Sequence, residues 1–314
     1  MTEEIEMQGF GAADYPENYR CGFAAIVGRP NVGKSTLLNA LLKRKISIVS
    51  PKPQTTRHRI LGILTRDDAQ IVFVDTPGIH TSERRVMNRY MNRSAQASLA
   101  DADVNVFLVE ALRWTEEDQF VLDSIKQSGH PIILLVSKVD KVQPKERLMP
   151  FLDEIARKAE FADVVPISSV KRINLQDLSA LIAKHLPLSP PHFPEDQVTD
   201  RSPQFQVAEI IREKLTWRLR QELPYGITVE IERYEYDKQS RKQLINAIIW
   251  VERDGQKAIV IGEHGEGLKA VGRAARLELN KHLDKHVHLE LWVKVKENWS
   301  DSEAALRQFG YESN

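Results

Sequence analysis

The stretch Gly28-Arg-Pro-Asn-Val-Gly-Lys34-Ser35 decides the fold of the first half of this 314-residue chain. It fits the pattern G-x4-G-K-[ST], directly follows the apolar run 23–27 and opens a helical run over 35–42. The two glycines let such a loop wrap a phosphate with backbone N–H groups at the positive end of the next helix. Lys34 is expected to reach the β- and γ-phosphates, and the Ser35 hydroxyl to ligate Mg2+. The alternative, a glycine turn with a surface lysine, is disfavoured by the strand–loop–helix context.

The pattern of apolar runs predicts the architecture around this loop. Four runs are short and almost wholly apolar, at 23–27, 71–74, 104–109 and 132–136. Such runs are typical of strands buried on both faces of a parallel sheet that helices cover. After a Pro-rich stretch at 187–194, helical spacing over 205–219 gives way to alternating strands at 227–232 and 287–295. That order predicts a second, smaller α+β domain.

The predicted organisation therefore has five parts. They are an acidic mobile tail (1–19), an α/β domain (20–187), a semi-rigid linker (188–202), an α+β domain (203–296) and a C-terminal tail (297–314). Lys plus Arg equals Asp plus Glu at 44 each, so any affinity for RNA or membrane must come from local patches. The single cysteine, Cys21, suits a reducing cytosol. Without an apolar run of about 18 residues or a basic-then-apolar leader, we expect a cytoplasmic protein with no transmembrane segment.

A second motif, Asp75-Thr-Pro-Gly78, ends the apolar run 71–74 and is expected to face the same crevice as the phosphate loop. Asp75 can hold the Mg2+ shell through water, while the Gly78 N–H meets the γ-phosphate. D-x-x-G alone is mostly a turn. Its distance after the phosphate loop and its place at a strand end favour the functional interpretation.

A third motif, Ser137-Lys-Val-Asp140, ends the run 132–136. A carboxylate at Asp140 can accept from the N1–H and the exocyclic amine of guanine, and adenine offers no such pair. The Lys138 stem can lie along the base plane. Three motifs in order on successive strand ends, where ligands of open α/β sheets collect, predict a GTP site rather than solvated turns. An ATP-dependent kinase is disfavoured by Asp140 and by the absence of a second-substrate lid.

At these residues the chain resembles the Era family of translation-associated GTPases, from about Cys21 to the end. The resemblance is carried by GRPNVGKSTLLN, PQTTRHRILGI, VDTPGIH, KVD, HFPEDQVTDRS, EIIREKL, ELPYGITVEIER and VHLELWVKVKENW. It implies an α/β P-loop GTPase domain followed by a type II KH domain, with GTP or GDP and Mg2+ as cofactors. It also implies an effector threonine within Thr55-Thr56, without deciding between the two, and a nucleotide-contact loop near Ser168-Ser169.

Motifs and resemblance together give the expected site residues. The catalytic set is Lys34, Thr55, Thr56, Asp75 and Gly78, and the metal set is Ser35, Thr55, Thr56 and Asp75. The GTP-binding set is Gly28, Arg29, Pro30, Asn31, Val32, Gly33, Lys34, Ser35, Thr36, Asp75, Thr76, Pro77, Gly78, Ile79, Ser137, Lys138, Val139, Asp140, Ser168 and Ser169.

Two positions bear on affinity and turnover. Most relatives carry asparagine where this chain has Ser137, and a shorter side chain is expected to change affinity more than base specificity. Ras-like switches place a glutamine after D-x-x-G to orient the attacking water, and Ile79 stands there. Arg57 and Arg59 are the candidates for an arginine finger. We therefore expect slow intrinsic hydrolysis that rises when a partner orders the switches.

The C-terminal domain contains Gly262-Glu-His-Gly265, a G-x-x-G turn that feeds a helical run. That run carries a basic stripe of Lys269, Arg273 and Arg276, so turn and stripe can clamp a nucleotide backbone. The alternative is that this basic stripe is only the solvated face of a helix. Relatives usually carry Lys or Asn inside the turn, whereas this chain has Glu263 and His264. The expected RNA-binding residues are Gly262, Glu263, His264, Gly265, Lys269, Arg273 and Arg276.

Resemblance to the Era KH domain implies that 257–261 is helical, although its Ile-Val-Ile composition alone suggests a strand. The target it implies is single-stranded RNA at the 3′ end of small-subunit (16S) ribosomal RNA. The implied role is late maturation of the small (30S) subunit, with peripheral association at the cytoplasmic face of the inner membrane. The competing interpretation is a GTP switch whose C-terminal domain binds a protein or the membrane surface.

Overall fold

A six-stranded sheet forms the N-terminal domain in the computed structural model, which describes residues 15–52, 55–78, 86–219 and 226–311. Its strands are β1 (Arg20–Val27), β2 (Ile60–Thr65), β3 (Ala69–Asp75), β4 (Val104–Glu110), β5 (Ile132–Ser137) and β6 (Asp163–Pro166). The order across the sheet is β2-β3-β1-β4-β5-β6. All neighbours run parallel except β2, which is antiparallel to β3. The predicted mostly parallel sheet is confirmed, and β2 and β6 extend it at its two edges.

Helices cover both faces of this sheet because successive strand residues point to opposite sides. The helices are α1 (Lys34–Leu42), α2 (Val86–Ala100), α3 (Glu116–Lys126), α4 (Leu148–Ala156) and α5 (Leu178–Ala183). Ile26 packs into the core that contains Leu37 of α1, whereas the next residue, Val27, packs with Leu99 of α2. Two apolar cores therefore hold the strand ends, and with them the motif loops, in fixed places.

The Pro-rich segment between the domains is attached to the sheet. The Gln70 side chain accepts from the backbone N–H groups of His192 and Phe193 at 2.8 and 2.9 Å and donates to the Phe193 carbonyl at 2.8 Å. Farther along, Ile63 N donates to the Val198 carbonyl at 2.8 Å. These bonds fix the path of the segment along the N-terminal domain, so the domain that follows starts from a defined point.

The C-terminal domain has the helix and strand order of a type II KH fold. Its elements are α6 (Pro203–Arg218), β7 (Thr228–Asp237), β8 (Lys242–Val251), α7 (Asp254–Ile261), α8 (Glu266–Leu283) and β9 (His286–Val295). β7 pairs antiparallel and β9 parallel with β8. The prediction that 257–261 is helical is confirmed, and Val260 of this helix is buried in the core of the domain.

The residues after β9, predicted to be a tail, pack against α2. A short helix, α9 (Glu303–Gln308), follows the fully buried Trp299. Trp299 belongs to a hydrophobic cluster with Met91 of α2 and with Tyr311. Asp301 Oδ1 accepts from the N–H of Val86, the first residue of α2, at 3.2 Å. The C-terminal segment thus binds the helix that follows the D-x-x-G motif.

Candidate nucleotide and RNA sites

The phosphate loop joins β1 to α1, and its lysine is buried. Lys34 is 7% exposed, and its Nζ donates to the carbonyl oxygens of Gly28 at 2.9 Å and Arg29 at 3.1 Å. Burial lowers the pKa of Lys34 to about 8. Gly33 has a φ of +116°, and nothing lies within 4 Å of the point where a Cβ would be. A buried cation beside open space over a glycine is an arrangement that suits an anion.

Hydroxyl groups converge on the Asp75 carboxylate at the end of β3. Its Oδ2 accepts from Ser35 Oγ at 2.9 Å and Ser47 Oγ at 2.7 Å, and Thr56 Oγ1 lies 3.5 Å away. Oδ1 is buried and has no hydrogen-bond partner among the described residues. Burial raises the pKa of the Asp75 carboxyl, while the hydroxyl hydrogen bonds act to lower it. An orphaned carboxylate oxygen beside hydroxyls is a site that Mg2+ fits, because hard cations prefer oxygen ligands.

The effector segment is the stretch 49–56, which ends with the two candidate threonines. The hydroxyl groups of these two threonines have different partners in the structure. Thr56 is 7% exposed, and its Oγ1 lies 2.9 Å from Ser35 Oγ. Thr55 Oγ1 instead donates to the Lys52 carbonyl at 2.7 Å and lies 2.8 Å from Ser50 Oγ. Of the two candidates that the sequence left open, Thr56 is the one whose hydroxyl lies at the Asp75 carboxylate.

Several of the expected GTP-binding residues line one cleft beside the loop. The cleft is lined by Pro30, Asn31, Gly33, Lys34, Ser35, Thr36, Ile48, Val49, Ser50, Thr55, Thr56 and Gly78. Thr76 lies deeper and donates from Oγ1 to the Ile26 carbonyl at 3.1 Å. Ile79 lies outside the described residues, so its predicted place after D-x-x-G stays a prediction.

The guanine motif follows β5, and its first residue bonds to the phosphate loop. Ser137 is 3% exposed, and its Oγ donates to the Val32 carbonyl at 2.8 Å. Lys138 has a φ of +61°, and its Nζ lies 3.1 Å from Glu110 Oε2. Asp140 is half-buried in a single 3-10 turn. A serine, although shorter than asparagine, therefore still ties the guanine motif to the phosphate loop.

The Ser168-Ser169 loop follows β6 and is held by its own backbone. Ser168 is fully buried, and its Oγ accepts from Lys171 N at 3.0 Å. The backbone of Ser168 also exchanges hydrogen bonds with Ile173, at 3.2 and 3.0 Å. Val139 N donates to the Ile167 carbonyl at 3.2 Å, so this loop lies directly beside the guanine motif.

Helix α6 of the C-terminal domain binds the effector segment of the N-terminal domain. Glu213 Oε1 accepts from Val49 N at 2.9 Å, and Trp217 Nε1 donates to the Val49 carbonyl at 2.9 Å. Arg212 Nη2 donates to the Thr55 carbonyl at 2.5 Å. The backbone is thus hydrogen-bonded to the other domain at Val49, before the effector threonines, and at Thr55 itself, and a movement of one domain must be accommodated by the other.

The two candidate finger arginines have other partners in this structure. Arg57 is 2% exposed and donates from Nη1 to the Ile227 carbonyl at 2.7 Å, in the C-terminal domain. Arg59 Nη1 lies 3.8 Å from Asp101 Oδ2. The contacts of Arg57 place it in the interface between the domains.

The G-x-x-G turn links α7 to α8 with an unusual backbone. Gly262 and Gly265 have φ values of +73° and +78°, and His264 between them has +50°. The side chains of Glu263 and His264 are 91% and 88% exposed. A Cβ on Gly265 would meet nothing within 4 Å. The turn therefore presents bare backbone to solvent, as a nucleotide clamp requires.

A groove of about 490 Å³ lies between α8 and β9, next to this turn. Its rim carries the predicted basic stripe, and Lys269 Nζ lies 3.0 Å from Glu266 Oε1. Its floor is formed by half-exposed leucines and a helix glycine, which sequence reasoning missed: Leu268, Gly272, Leu289 and Leu291. The apolar floor suits apolar contact with bases, and the cationic rim suits their phosphates. No local signal marked this floor, because its residues come from α8 and β9 and meet only in the folded domain.

The part of the chain that the structure describes contains no helix long and apolar enough to cross a membrane. Within the same residues, no three or more His, Cys, Asp or Glu side chains cluster as a metal site. A metal at Asp75 would therefore have to share its ligands between hydroxyls, water and nucleotide.

Comparison with known proteins assigns both domains. Residues 23–138 match a family described as 50S ribosome-binding GTPase, and residues 222–300 match the KH domain family. The chain is 51% identical over 301 residues to GTPase Era of Vibrio parahaemolyticus, covering 96% of this chain and 94% of that protein. It is 51% identical over 298 residues to GTPase Era of Pseudomonas aeruginosa, covering 95% and 97%.

Two solved structures match the whole fold. One is an Aquifex aeolicus Era variant bound to GDP and AlF4−, and the other is Era in complex with MgGDPNP and nucleotides 1506–1542 of 16S ribosomal RNA. Each is 42% identical to this chain with a TM-score of 0.90, and covers 94% of this chain and 100% of the solved one. A P-loop site that is hydrogen-bonded to a KH domain, together with this identity over almost the whole length, shows that the chain belongs to the Era family of GTPases.

Proposed function

We propose that this protein is a GTP-hydrolysing switch that binds the 3′ end of 16S ribosomal RNA and assists late maturation of the small ribosomal subunit. The observation that carries the proposal is the bonding of α6 to the effector segment, at the backbone of Val49 and at the Thr55 carbonyl. These hydrogen bonds, of 2.5 to 2.9 Å, join the nucleotide site to the KH domain. The relative solved with MgGDPNP and 16S nucleotides supports both ligands.

The proposed nucleotide site assigns one role to each polar group. Lys34, which now donates to two loop carbonyls, would exchange them for phosphate oxygens. Ser35 and Thr56 would hold Mg2+ with their hydroxyls, and Asp75 would hold its water shell. When bound, Mg2+ neutralises charge on the β- and γ-phosphates. Thr56, not Thr55, is the proposed effector threonine because, of the two hydroxyls, only that of Thr56 lies at Ser35 and Asp75.

The guanine base would be held on the side of the phosphate loop opposite the Mg2+ site. Asp140 would accept from guanine N1–H and its exocyclic amine, and the Lys138 stem would cover the base. Ser137 would act through Val32 of the phosphate loop rather than through the base. Ser169, half-exposed beside the guanine motif, completes the proposed contacts.

Slow intrinsic hydrolysis follows from the residue after D-x-x-G. Ile79 can neither accept a proton nor orient water, so positioning and electrostatics carry the reaction. A partner that orders the effector segment would accelerate hydrolysis. Because α6 holds that segment, RNA bound on the same domain is the proposed partner.

The RNA is proposed to lie in the groove between α8 and β9. Bases would make apolar contact with the leucine floor, and Lys269, Arg273 and Arg276 would neutralise phosphates along the rim. Glu263 is solvent-exposed and would repel phosphate there. We further propose contact with the 30S subunit, a cytoplasmic location and peripheral contact with the inner membrane. The limits of the two domains, 20–187 and 203–296, stand as part of this proposal, whereas Tyr19 and the segment that contains Trp299 and Tyr311 are packed rather than parts of tails.

The test is fluorescence anisotropy with a labelled strand of the 3′ end of 16S ribosomal RNA. Wild type is compared with an Arg273→Gln, Arg276→Gln double variant, at several salt concentrations and with GDP or GDPNP. A Lys238→Gln, Arg241→Gln double variant removes the same charge from the exposed β7–β8 turn and serves as the control. We expect tight RNA binding that only the groove variant loses, and faster phosphate release from GTP when RNA is present.

Two results would contradict the proposal. Equal RNA affinity in both double variants would mean that this groove does not hold the strand. Binding to anionic vesicles with no measurable RNA affinity would favour the membrane-surface interpretation instead.

A further inference from the structure

One carboxylate joins the two loops of the nucleotide site. Glu110 is the last residue of β4, and β4 lies between β1 and β5 in the sheet. The phosphate loop leaves β1 and the guanine motif leaves β5, so the strand order places Glu110 between them. Its Oε2 accepts from Arg29 Nη2 at 2.8 Å and lies 3.1 Å from Lys138 Nζ. A single oxygen therefore holds one cation from each loop.

The other side of Arg29 is fixed as well. Its Nε lies 3.2 Å from Oδ2 of Asp118, which is fully buried. The same Oδ2 accepts from the backbone N–H and the hydroxyl of Thr115, in the capping box that starts α3. Arg29 itself is 5% exposed. A cation so enclosed needs both carboxylates, because removal of one partner leaves buried charge uncompensated.

The position of the Lys138 side chain depends on a contact with another residue. Its φ of +61° and ψ of 30° lie in the left-handed region, which disfavours residues other than glycine. Its side chain is 27% exposed, so its stem is not fixed by packing alone. The ion pair with Glu110 fixes the ammonium end, and hence the line along which the stem lies.

Glu110 is suited to this task at neutral pH. Burial raises the pKa of its carboxyl, but hydrogen bonds from Arg29 and Lys138 outweigh burial and lower it. The carboxylate therefore stays ionised while it is 24% exposed. The oxygen of a neutral amide there could still accept from the two cations but could not compensate their charge.

We propose that Glu110 is a positioning residue for nucleotide retention, which holds the phosphate loop and the guanine motif together through Arg29 and Lys138. The two loops then open as one unit, and bound nucleotide leaves only when both move. The proposal rests on the guanine-nucleotide site proposed above. It adds that base and phosphate contacts are not independent, although their motifs are separated by about a hundred residues.

A second effect of Glu110 has the opposite sign, which makes the test decisive. Its negative charge lies near a site for polyphosphate, so neutralising it removes repulsion and would tighten nucleotide binding. Loss of positioning would weaken binding and would act mainly on the dissociation rate, since most affinity changes within one site are in that rate. The sign of the change therefore distinguishes positioning from plain electrostatics.

The experiment measures dissociation of a fluorescent N-methylanthraniloyl-GDP from the full-length protein with Mg2+. The variants are Glu110→Gln, Lys138→Met, which removes only the ammonium and keeps an apolar stem, and both together. Glu117→Gln, an exposed glutamate at the start of α3, is the matched control. We expect each single change to speed dissociation by about tenfold, roughly 1.4 kcal/mol. The double variant should be little faster than either single one, because both remove the same link.

Three outcomes would overturn the proposal. Dissociation from Glu110→Gln at the wild-type rate or slower would leave only an electrostatic role. Effects of Glu110→Gln and Lys138→Met that multiply in the double variant would mean that they act separately. If Glu110→Gln fails to fold, as seen by thermal unfolding without nucleotide, unchanged dissociation from Lys138→Met would be sufficient to reject the link. If wild type fails to bind the GDP probe at all, the proposed nucleotide site itself is wrong.

Discussion

The nucleotide site and the KH groove hold charge in opposite ways. In the nucleotide site the charged groups are buried and bonded to one another: Lys34 is 7% exposed and Asp75 is fully buried. In the groove the basic side chains project into solvent, and even the paired Lys269 is 69% exposed. The nucleotide site is preorganised in the absence of its ligand, whereas the groove presents an exposed basic surface to which a strand can bind.

This difference sets how large the effect of a substitution should be. A buried polar group that loses its partner has the full desolvation penalty, about 1–3 kcal/mol. An exposed charge acts through screened electrostatics, and each such contact is worth about 1 kcal/mol or less. Removal of a buried charged group in the nucleotide site should therefore change affinity by orders of magnitude, and removal of one exposed charge in the groove by a few fold.

The largest effect is expected for Lys34→Met. It removes the buried cation that is proposed to bind two phosphates, so GTP affinity should fall by about a hundredfold or more, since charge-assisted hydrogen bonds contribute about 1.5–3 kcal/mol each. Isothermal titration with GDP and GDPNP measures it, with Lys145→Met at an exposed position as the control. Unchanged affinity would remove Lys34 from the phosphate site.

The same variant should be more stable than wild type when no nucleotide is bound. The pKa of Lys34 is lowered to about 8 in the folded state from an ordinary 10.5, so the unfolded chain binds more protons between these values. Stability of wild type then rises with pH across that window, and below pH 8 the buried charge destabilises the fold by about 3 kcal/mol at most. Thermal unfolding at pH 7 and 10 should show a gap between variant and wild type that narrows at pH 10. A gap that widens at pH 10 would contradict the sign.

The next effect separates the two threonines. Thr56→Ala removes a hydroxyl 2.9 Å from Ser35, whereas Thr55→Ala removes one bonded to the Lys52 carbonyl. Thr56→Ala should weaken GDPNP binding with Mg2+ by about tenfold to thirtyfold and GDP binding much less, in line with the loss of one charge-assisted contact. Thr55→Ala should change neither by more than a few fold. Titration of each variant with GDPNP and with GDP, in the presence of Mg2+, checks this. A larger loss of GDPNP affinity in Thr55→Ala than in Thr56→Ala would move the assignment to Thr55.

A change in the turn of the groove should have an intermediate effect. Gly265→Asp places a charge where nothing now lies within 4 Å, at a φ of +78°. RNA affinity should fall by about tenfold, because backbone strain and like charge act together. Gly265→Asn tolerates that φ without the charge and should lose less. Gly255→Asp, an open glycine outside the left-handed region, is the control. Equal RNA binding by all three would mean that the turn does not contact the strand.

A smaller effect is expected for Ser137. Ser137→Ala removes the bond to the Val32 carbonyl and should weaken GDP binding by about fivefold, as for one neutral hydrogen bond. Ser137→Asn should tighten GDP binding without changing the preferred base, provided the larger amide keeps the Val32 bond. Competition with XDP and IDP tests the preference. Weaker binding by Ser137→Asn would show that the loop is fitted to serine.

The smallest effect should come from Glu263→Lys. The residue is 91% exposed, so the change replaces one repulsive charge by one attractive charge within a Debye length of the strand. RNA affinity should rise by a few fold, and the log–log salt slope should become more negative by about 0.7. Glu297→Lys, also exposed, is the control in the same anisotropy titration. An unchanged slope would place the strand away from Glu263.

Much of the fold and the site was predictable because its signals are local. The phosphate loop, Asp75-Thr-Pro-Gly78 and the guanine motif are short stretches whose backbone geometry needs particular residues, so spacing reveals them. The four buried strands were predictable because apolar composition follows burial on both faces. The helix over 254–261 was predictable only through family resemblance, since its Ile-Val-Ile composition favours a strand.

Other features depended on contacts between distant parts of the chain. Choosing Thr56 over Thr55 required the path of the effector segment, which α6 of the other domain holds. The leucines of the groove floor become neighbours of the G-x-x-G turn only when β9 returns alongside α8. The segment predicted as a C-terminal tail packs on α2 because Trp299 and Tyr311 find an apolar surface there.

By itself the sequence determined a P-loop GTPase followed by a KH domain, because each motif is read along a few adjacent residues with fixed backbone geometry. Only the tertiary structure decided how the motifs are joined. Glu110 meets Arg29 and Lys138 because β4 lies between β1 and β5, and Ser137 meets Val32 across the same crevice. Strand order is set by packing of the whole sheet rather than by neighbouring residues, so contacts that depend on it leave no local pattern to read.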